Sequence, residues 1–119
     1  MTNKREIGTE GEDRATTSLK KEGYRIIEKN FRSPFGELDI VAEEGGYLVF
    51  VEVKKRNSPV FGTSLHAIND TKKKHMIKTA MFYMKTHRCF GRRVRFDVVG
   101  IDSENVKIVK HAFMLEQRI

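Results

Sequence analysis

Residues 36–54 read Gly36-Glu37-Leu38-Asp39-Ile40-Val41-Ala42-Glu43-Glu44-Gly45-Gly46-Tyr47-Leu48-Val49-Phe50-Val51-Glu52-Val53-Lys54, and their pattern decides the fold. Two runs rich in β-branched and aromatic residues flank Glu44-Gly45-Gly46, which is a hairpin signal. The runs predict strands over 37–43 and 47–54. The second run is apolar at nearly every position until its end, as expected of a central strand covered on both faces. A loop of even length, Gly45-Gly46 or Glu44 to Tyr47, sets Asp39 opposite Glu52 and Glu37 opposite Lys54. An odd loop would shift that pairing by one. Directly opposed Cβ atoms lie about 4.5–5.5 Å apart.

Strand alternation puts Glu52 and Lys54 on one face, with Val51 and Val53 on the other. Glu37 and Asp39 likewise share a face. Two facing carboxylates repel unless something positive sits between them. A hard cation with oxygen ligands, Mg²⁺ or Mn²⁺, suits that pair. Such an ion can clamp and polarise a phosphate and acidify a bound water. A neighbouring lysine can stabilise negative charge or help deprotonate that water. The plainer alternative is a cross-strand Glu37–Lys54 ion pair, with Asp39 and Glu52 turned to solvent.

Outward from the hairpin, residues 6–22 predict a helix on the spacing of Ile7, Ala15 and Leu19, stopped by Gly23. Residues 24–31 predict a strand, followed by the turn signal Ser33-Pro34-Phe35-Gly36. After Asn57-Ser58-Pro59 a long helix is expected over 64–87, its apolar stripe formed by Ile77, Ala80, Met81 and Met84. Residues 94–101 and 105–111 predict two more strands. The order α-β-β-β-α-β-β gives an α/β fold with a mixed sheet flanked by two helices.

The chain has 119 residues and a formal net charge of +7, with a pI near 9.7. That length predicts one domain spanning residues 1–119. The charge favours a polyanionic partner, nucleic acid before an anionic membrane. Cys89 is the only cysteine, which excludes an internal disulfide and a cysteine-based zinc cluster. The first residues carry no apolar leader, and the longest apolar run, Tyr47 to Val51, is too short to cross a bilayer. A cytoplasmic protein without a membrane partner is expected.

Glu12 lies on the same side of the first helix as Ala15 and Leu19. It can project towards the hairpin acids. Alternatively it completes a capping box over Thr9-Glu10-Gly11-Glu12 and only returns to the helix start.

The runs Gly36 to Val41 and Phe50 to Arg56 resemble the YraN-like family of uncharacterised bacterial proteins. So do Gly8-x-x-Gly11-Glu12-x-x-Ala15, Gly23-Tyr24, Asn30-Phe31-Arg32, Phe61-Gly62 and Arg95-Phe96-Asp97-Val98-Val99. The resemblance spans Gly8 to Phe113. That family is similar to the PD-(D/E)xK nucleases, which have a restriction-endonuclease-like core and include Holliday-junction resolvases. The resemblance implies Asp39 and Glu52 as metal ligands, helped by the Val53 carbonyl. It implies Lys54 as the superfamily lysine and Glu12 as the acid of the first helix, a further metal ligand; from its place on the strand face, Glu37 is expected to support the site. The proline of the superfamily pattern is absent, since Leu38 precedes Asp39.

Basic residues form three clusters: Lys54-Lys55-Arg56; Lys72, Lys73, Lys74, His75 and Lys78; and Arg88, Arg92, Arg93 and Arg95. Phosphate contacts by Lys55, Arg56, Lys72, Lys73, Lys74 and Lys78 would position a strand without reading its sequence. A solvated helix face is the alternative. His66, His75, His87 and His111 lack metal-ligand spacing, and Ser64, Ser103 and Cys89 lack a nucleophile context. Met76, Met81, Phe82 and Met84 read as core packing, with a homodimer face as the other option. The expected function is a divalent-metal-dependent nuclease acting on DNA, structured DNA included. The alternatives are a non-catalytic nucleic-acid-binding module and a protein adaptor.

Overall fold

Gly45 and Gly46 have φ of 60° and 84°. Positive φ at both central residues is what a two-residue type I′ turn requires, and glycine supplies it without steric cost. The turn sets the register: Glu44 pairs with Tyr47 and Ile40 with Val51, as an even loop demands. The computed structural model describes residues 4–55 and 68–113, with side chains from residue 11 onward. Its elements are α1 (Lys4–Lys21), β1 (Arg25–Ser33), β2 (Gly36–Glu44), β3 (Tyr47–Lys55), α2 (Asp70–Thr86), β4 (Val94–Ile101) and β5 (Val106–Phe113). This is the expected order.

The five strands form one sheet in the order β1-β2-β3-β4-β5. The β3–β4 pair is parallel and the other three are antiparallel. The apolar strand β3 is central, as its composition predicted. On one sheet face Leu48, Phe50, Phe96 and Val98 pack with Met76, Ala80, Tyr83 and Met84 of α2. On the other, Val49, Val51, Val99 and Ile101 pack with Ala15 and Leu19 of α1. Alternation along β3 therefore assigns Glu52 and Lys54 to the α2 face, and Val53 and Lys55 to the α1 face. In β2 the alternation breaks. Leu38 belongs to the α2-side cluster and Ile40 to the α1-side cluster, although they are two residues apart. The strand rotates at Asp39, between them. In β1, Asn30 lies between the pairs Lys29↔Ile40 and Phe31↔Leu38, opposite Asp39, and adopts φ 56°.

Three expectations need correction. α2 starts at Asp70, where Asn69 caps it by accepting the Lys72 amide at 2.8 Å; the expected start at 64 falls outside the described residues. Its buried stripe is Met76, Thr79, Ala80, Tyr83 and Met84. Met81 is 49% exposed, because five residues beyond Met76 a helix has turned about 140°. Finally, α1 already runs from Lys4, so Thr9 is inside it and no capping box joins Thr9 to Glu12. Among the described residues no helix is long and apolar enough to cross a membrane.

Candidate active site

Regular β2–β3 pairing stops at Ile40↔Val51. Just beyond it the Val53 amide donates to Asp39 Oδ2 at 2.7 Å. A side chain thus takes a backbone donor where the ladder ends, and the carboxylate is fixed against β3. Burial pushes the Asp39 pKa up to about 7, and the charge of Glu52 adds to the rise. The Val53 hydrogen bond opposes it, Glu12 adds a smaller push, and Lys72 pulls back. Burial also raises Glu52, against the charge and hydrogen bond of Lys72 and the charge of Lys54, while Glu37 adds to the rise. Asp39 and Glu52 are therefore two desolvated acids, with Glu52 close enough to raise the cost of ionising Asp39.

Lys72 Nζ lies 3.2 Å from Glu52 Oε1. Glu52 Oε2 is fully buried, with no hydrogen-bond partner among the described residues. Lys54 is half-buried on the same face as Glu52. Glu37 does not face Lys54 in a regular pair. It pairs with Arg32 of β1, and the two side chains approach to 3.8 Å, because β2 stays with β1 where it leaves β3. Glu12 is half-buried on α1, across the sheet from Glu52. Among the described residues no three His, Cys, Asp or Glu side chains group so as to hold a metal ion. The structure brings Asp39 and Glu52 together and leaves Glu12 as an electrostatic neighbour of Asp39. The two carboxylates and the orphaned Oε2 fit a small hard cation that keeps water ligands, as Mg²⁺ commonly does with one or two carboxylates.

A family model described as "Uncharacterised protein family UPF0102" matches residues 11–101, the span that carries all these side chains. The chain belongs to the UPF0102 family. Its UPF0102 relatives include a protein of Persephonella marina, 45% identical over 109 residues, covering 92% of this chain and 94% of the relative. Another, from Caldicellulosiruptor saccharolyticus, is 41% identical over 117 residues, covering 93% and 99%. The family is the one that the sequence motifs resemble.

The basic clusters of this UPF0102 chain separate in space. Lys72 turns to Glu52, Lys73 Nζ sits 5.7 Å from the Phe113 ring centre, and Lys74 and Lys78 are exposed. The arginines do not flank the acids. Arg92 pairs with Glu43 at 2.8 Å, and Arg93 lies over Tyr47 at 4.7 Å. Both stand by the start of β3, the end opposite Glu52. Arg95 is buried: its guanidinium meets Asp97 Oδ2 at 2.8 Å and Glu44 Oε1 at 2.6 Å. Asp97 also accepts from Tyr24 Oη at 2.6 Å and the His111 amide at 3.1 Å. Asp97 thus ties β4 to β5 and to Tyr24, the residue just before β1. His87 stacks on Tyr83 with centres 3.9 Å apart. Arg56, Ser64 and His66 lie outside the described residues.

Sequence reading missed two contributions. Lys72 looked like one lysine of a run, and only the placement of α2 shows that it serves Glu52. Gly11 is buried under Lys55, where a Cβ would collide with Lys55 Cε.

Proposed function

We propose that this UPF0102 chain is a divalent-cation-dependent phosphodiesterase acting on DNA, structured DNA among its candidate substrates. The observation that carries the reading is the desolvated Asp39–Glu52 pair, with Glu52 Oε2 buried and without a hydrogen-bond partner among the described residues. Without a full countercharge such a pair is costly to keep ionised. Asp39 and Glu52 would hold Mg²⁺ or Mn²⁺, and the resemblance adds the Val53 carbonyl. When bound, the ion would polarise a phosphate and lower the pKa of a water. Glu12 deepens the negative potential at Asp39 and so favours a cation. Lys54, beside Glu52, stabilises charge developing on phosphoryl oxygens or takes a proton from the attacking water. Exposed Lys74 and Lys78, and Lys55 on the other face, would contact flanking phosphates.

The test is cleavage of single-stranded, duplex and branched DNA across a divalent-metal series. Activity that Asp39→Ala and Lys54→Ala abolish supports the proposal. Intact substrates under every condition sink it.

A second reading draws on the Lys72–Glu52 ion pair, which already neutralises one acid without a metal. On that reading the chain is a non-catalytic nucleic-acid-binding module. It predicts salt-sensitive binding that survives Asp39→Ala in a wild type that never cuts.

A further inference from the structure

Phe90, Met81 and Phe35 are 62%, 49% and 46% exposed. Large apolar side chains seldom gather on a surface without use. Here they line one open groove of about 470 Å³ together with Pro34, Phe82, Lys78 and Lys85. Phe35 leans edge-on against Phe82, with ring centres 6.3 Å apart. The groove belongs to the β1–β2 turn, to α2 and to the segment after it. β2 runs from that turn directly to Asp39, and α2 also carries Lys72. Groove and acidic pair are therefore joined through β2, which carries Asp39, and through α2, whose Lys72 meets Glu52 of β3.

We propose that this groove takes an unpaired strand of DNA, its bases stacked on Phe35 and Phe90 and its phosphates met by Lys78 and Lys85. The inference deepens the proposed function by naming an unpaired segment as part of the substrate, and it rests on that reading for the choice of DNA. Charge decides the occupant. Among the described residues the lining has two lysines and no acid. In a twofold dimer built on this patch, lysines from both copies would converge without a countercharge in the lining. A polyanion meets no such cost. Exposed ring faces then select the type of polyanion. An unpaired base offers a π-face to stack, whereas bases inside a duplex have both faces covered. Along α2, Lys72 to Lys85 spans about 20 Å at roughly 1.5 Å per residue. That length accommodates several nucleotides between the groove and the acidic pair.

The chain contains no tryptophan, so Phe90→Trp places a single reporter in the groove at an exposed position. Its fluorescence is titrated with oligo(dT) in chelator, where no cleavage takes place. Saturable, salt-sensitive quenching is expected, with a same-length duplex binding more weakly. Adding Phe35→Ala should weaken oligo(dT) by about 5- to 150-fold, the range for one stacked base. Lys78→Glu with Lys85→Glu should weaken it further. Unquenched fluorescence, equal response to duplex, or unchanged affinity in Phe35→Ala overturns the proposal. So does a concentration-dependent dimer that Met81→Glu dissociates, or preferential quenching by an acidic peptide. If quenching holds and no DNA is ever cut, the groove stands and the phosphodiesterase reading falls. If DNA is cut and the reporter stays unquenched, the phosphodiesterase reading stands and the groove falls.

Discussion

Lys72 Nζ stands 3.2 Å from Glu52 Oε1, so the first turn of α2 supplies positive charge to the acid at the end of β3. The partners are unequally covered, with side chains 41% and 13% exposed. Lys72→Met leaves the more buried one without its ion pair. Solvent reaches the lysine, so the loss is discounted to about 1 kcal/mol, or a Tm lower by about 3–6 °C. Lys72 also competes with any cation that Glu52 would hold. Thermal melts with and without Mn²⁺ should therefore show a larger cation-induced gain in Lys72→Met than in wild type. Equal gains would show that the ammonium and the cation do not share Glu52.

The pH dependence has a definite sign. The folded pKa of Asp39, about 7, exceeds its ordinary value of 3.8. Between those values the folded chain holds a proton that the unfolded chain has lost. Stability in chelator must then fall as pH rises from about 4 to about 7, and the loss is complete above that. Glu52 shifts in the same direction. Asp39→Asn keeps an oxygen for the Val53 amide and removes the titration. Urea denaturation at pH 5 and pH 8 should show a smaller loss in Asp39→Asn than in wild type. A variant that loses as much as wild type would assign the slope to other groups.

The hairpin was legible because its information is local. Two glycines that tolerate positive φ fix a two-residue turn, and the turn fixes which residues face each other. That register pointed Asp39 towards Glu52, although the regular pairs stop one step short, at Ile40↔Val51, and β3 announced its central position by its apolar run. The role of Arg95 was not legible. It joined a basic cluster on sequence, yet its Nη2 also reaches Tyr24 Oη, 71 positions away, at 3.2 Å. The rotation of α2 was equally hidden, since Met81 and Met84 are the same residue type and only packing buries one of them. The place where β2 leaves β3 was hidden too. Pairing rules continue a ladder indefinitely, whereas Glu37 here stays with Arg32 of β1.

The Asp97 network should behave as structure and not as catalytic machinery. Burial, then the hydrogen bond to Asp97, pushes the Tyr24 hydroxyl pKa up. Tyr24→Phe removes that 2.6 Å bond but leaves Asp97 with Arg95 and the His111 amide. The expected loss is about 1–2 kcal/mol. Asp97→Ala strips buried Arg95 of one of its two acids and should cost about 3–5 kcal/mol. Calorimetric titration with Mn²⁺ should give Tyr24→Phe the same affinity as wild type. A weakened affinity would connect the network to the acidic pair through β3, where Val51 pairs with Asp97.

Gly11 offers a case in which stability and function should separate. It sits inside α1, where glycine costs about 1 kcal/mol relative to alanine. Gly11→Ala relieves that cost. The added Cβ collides only with the outer part of the Lys55 side chain, and a flexible lysine can move away cheaply. The folded state should be as stable as wild type or up to about 1 kcal/mol more stable. The Lys55 ammonium, however, leaves its place above α1, near the helix that carries Glu12. If Lys55 contacts a phosphate there, Gly11→Ala should bind DNA several-fold more weakly and show a shallower dependence on salt, as losing one phosphate contact requires. Lys55→Ala should produce the same deficit, and the double variant should add nothing, because both changes empty one position. Additive losses would mean that Gly11 and Lys55 act on different parts of the interface.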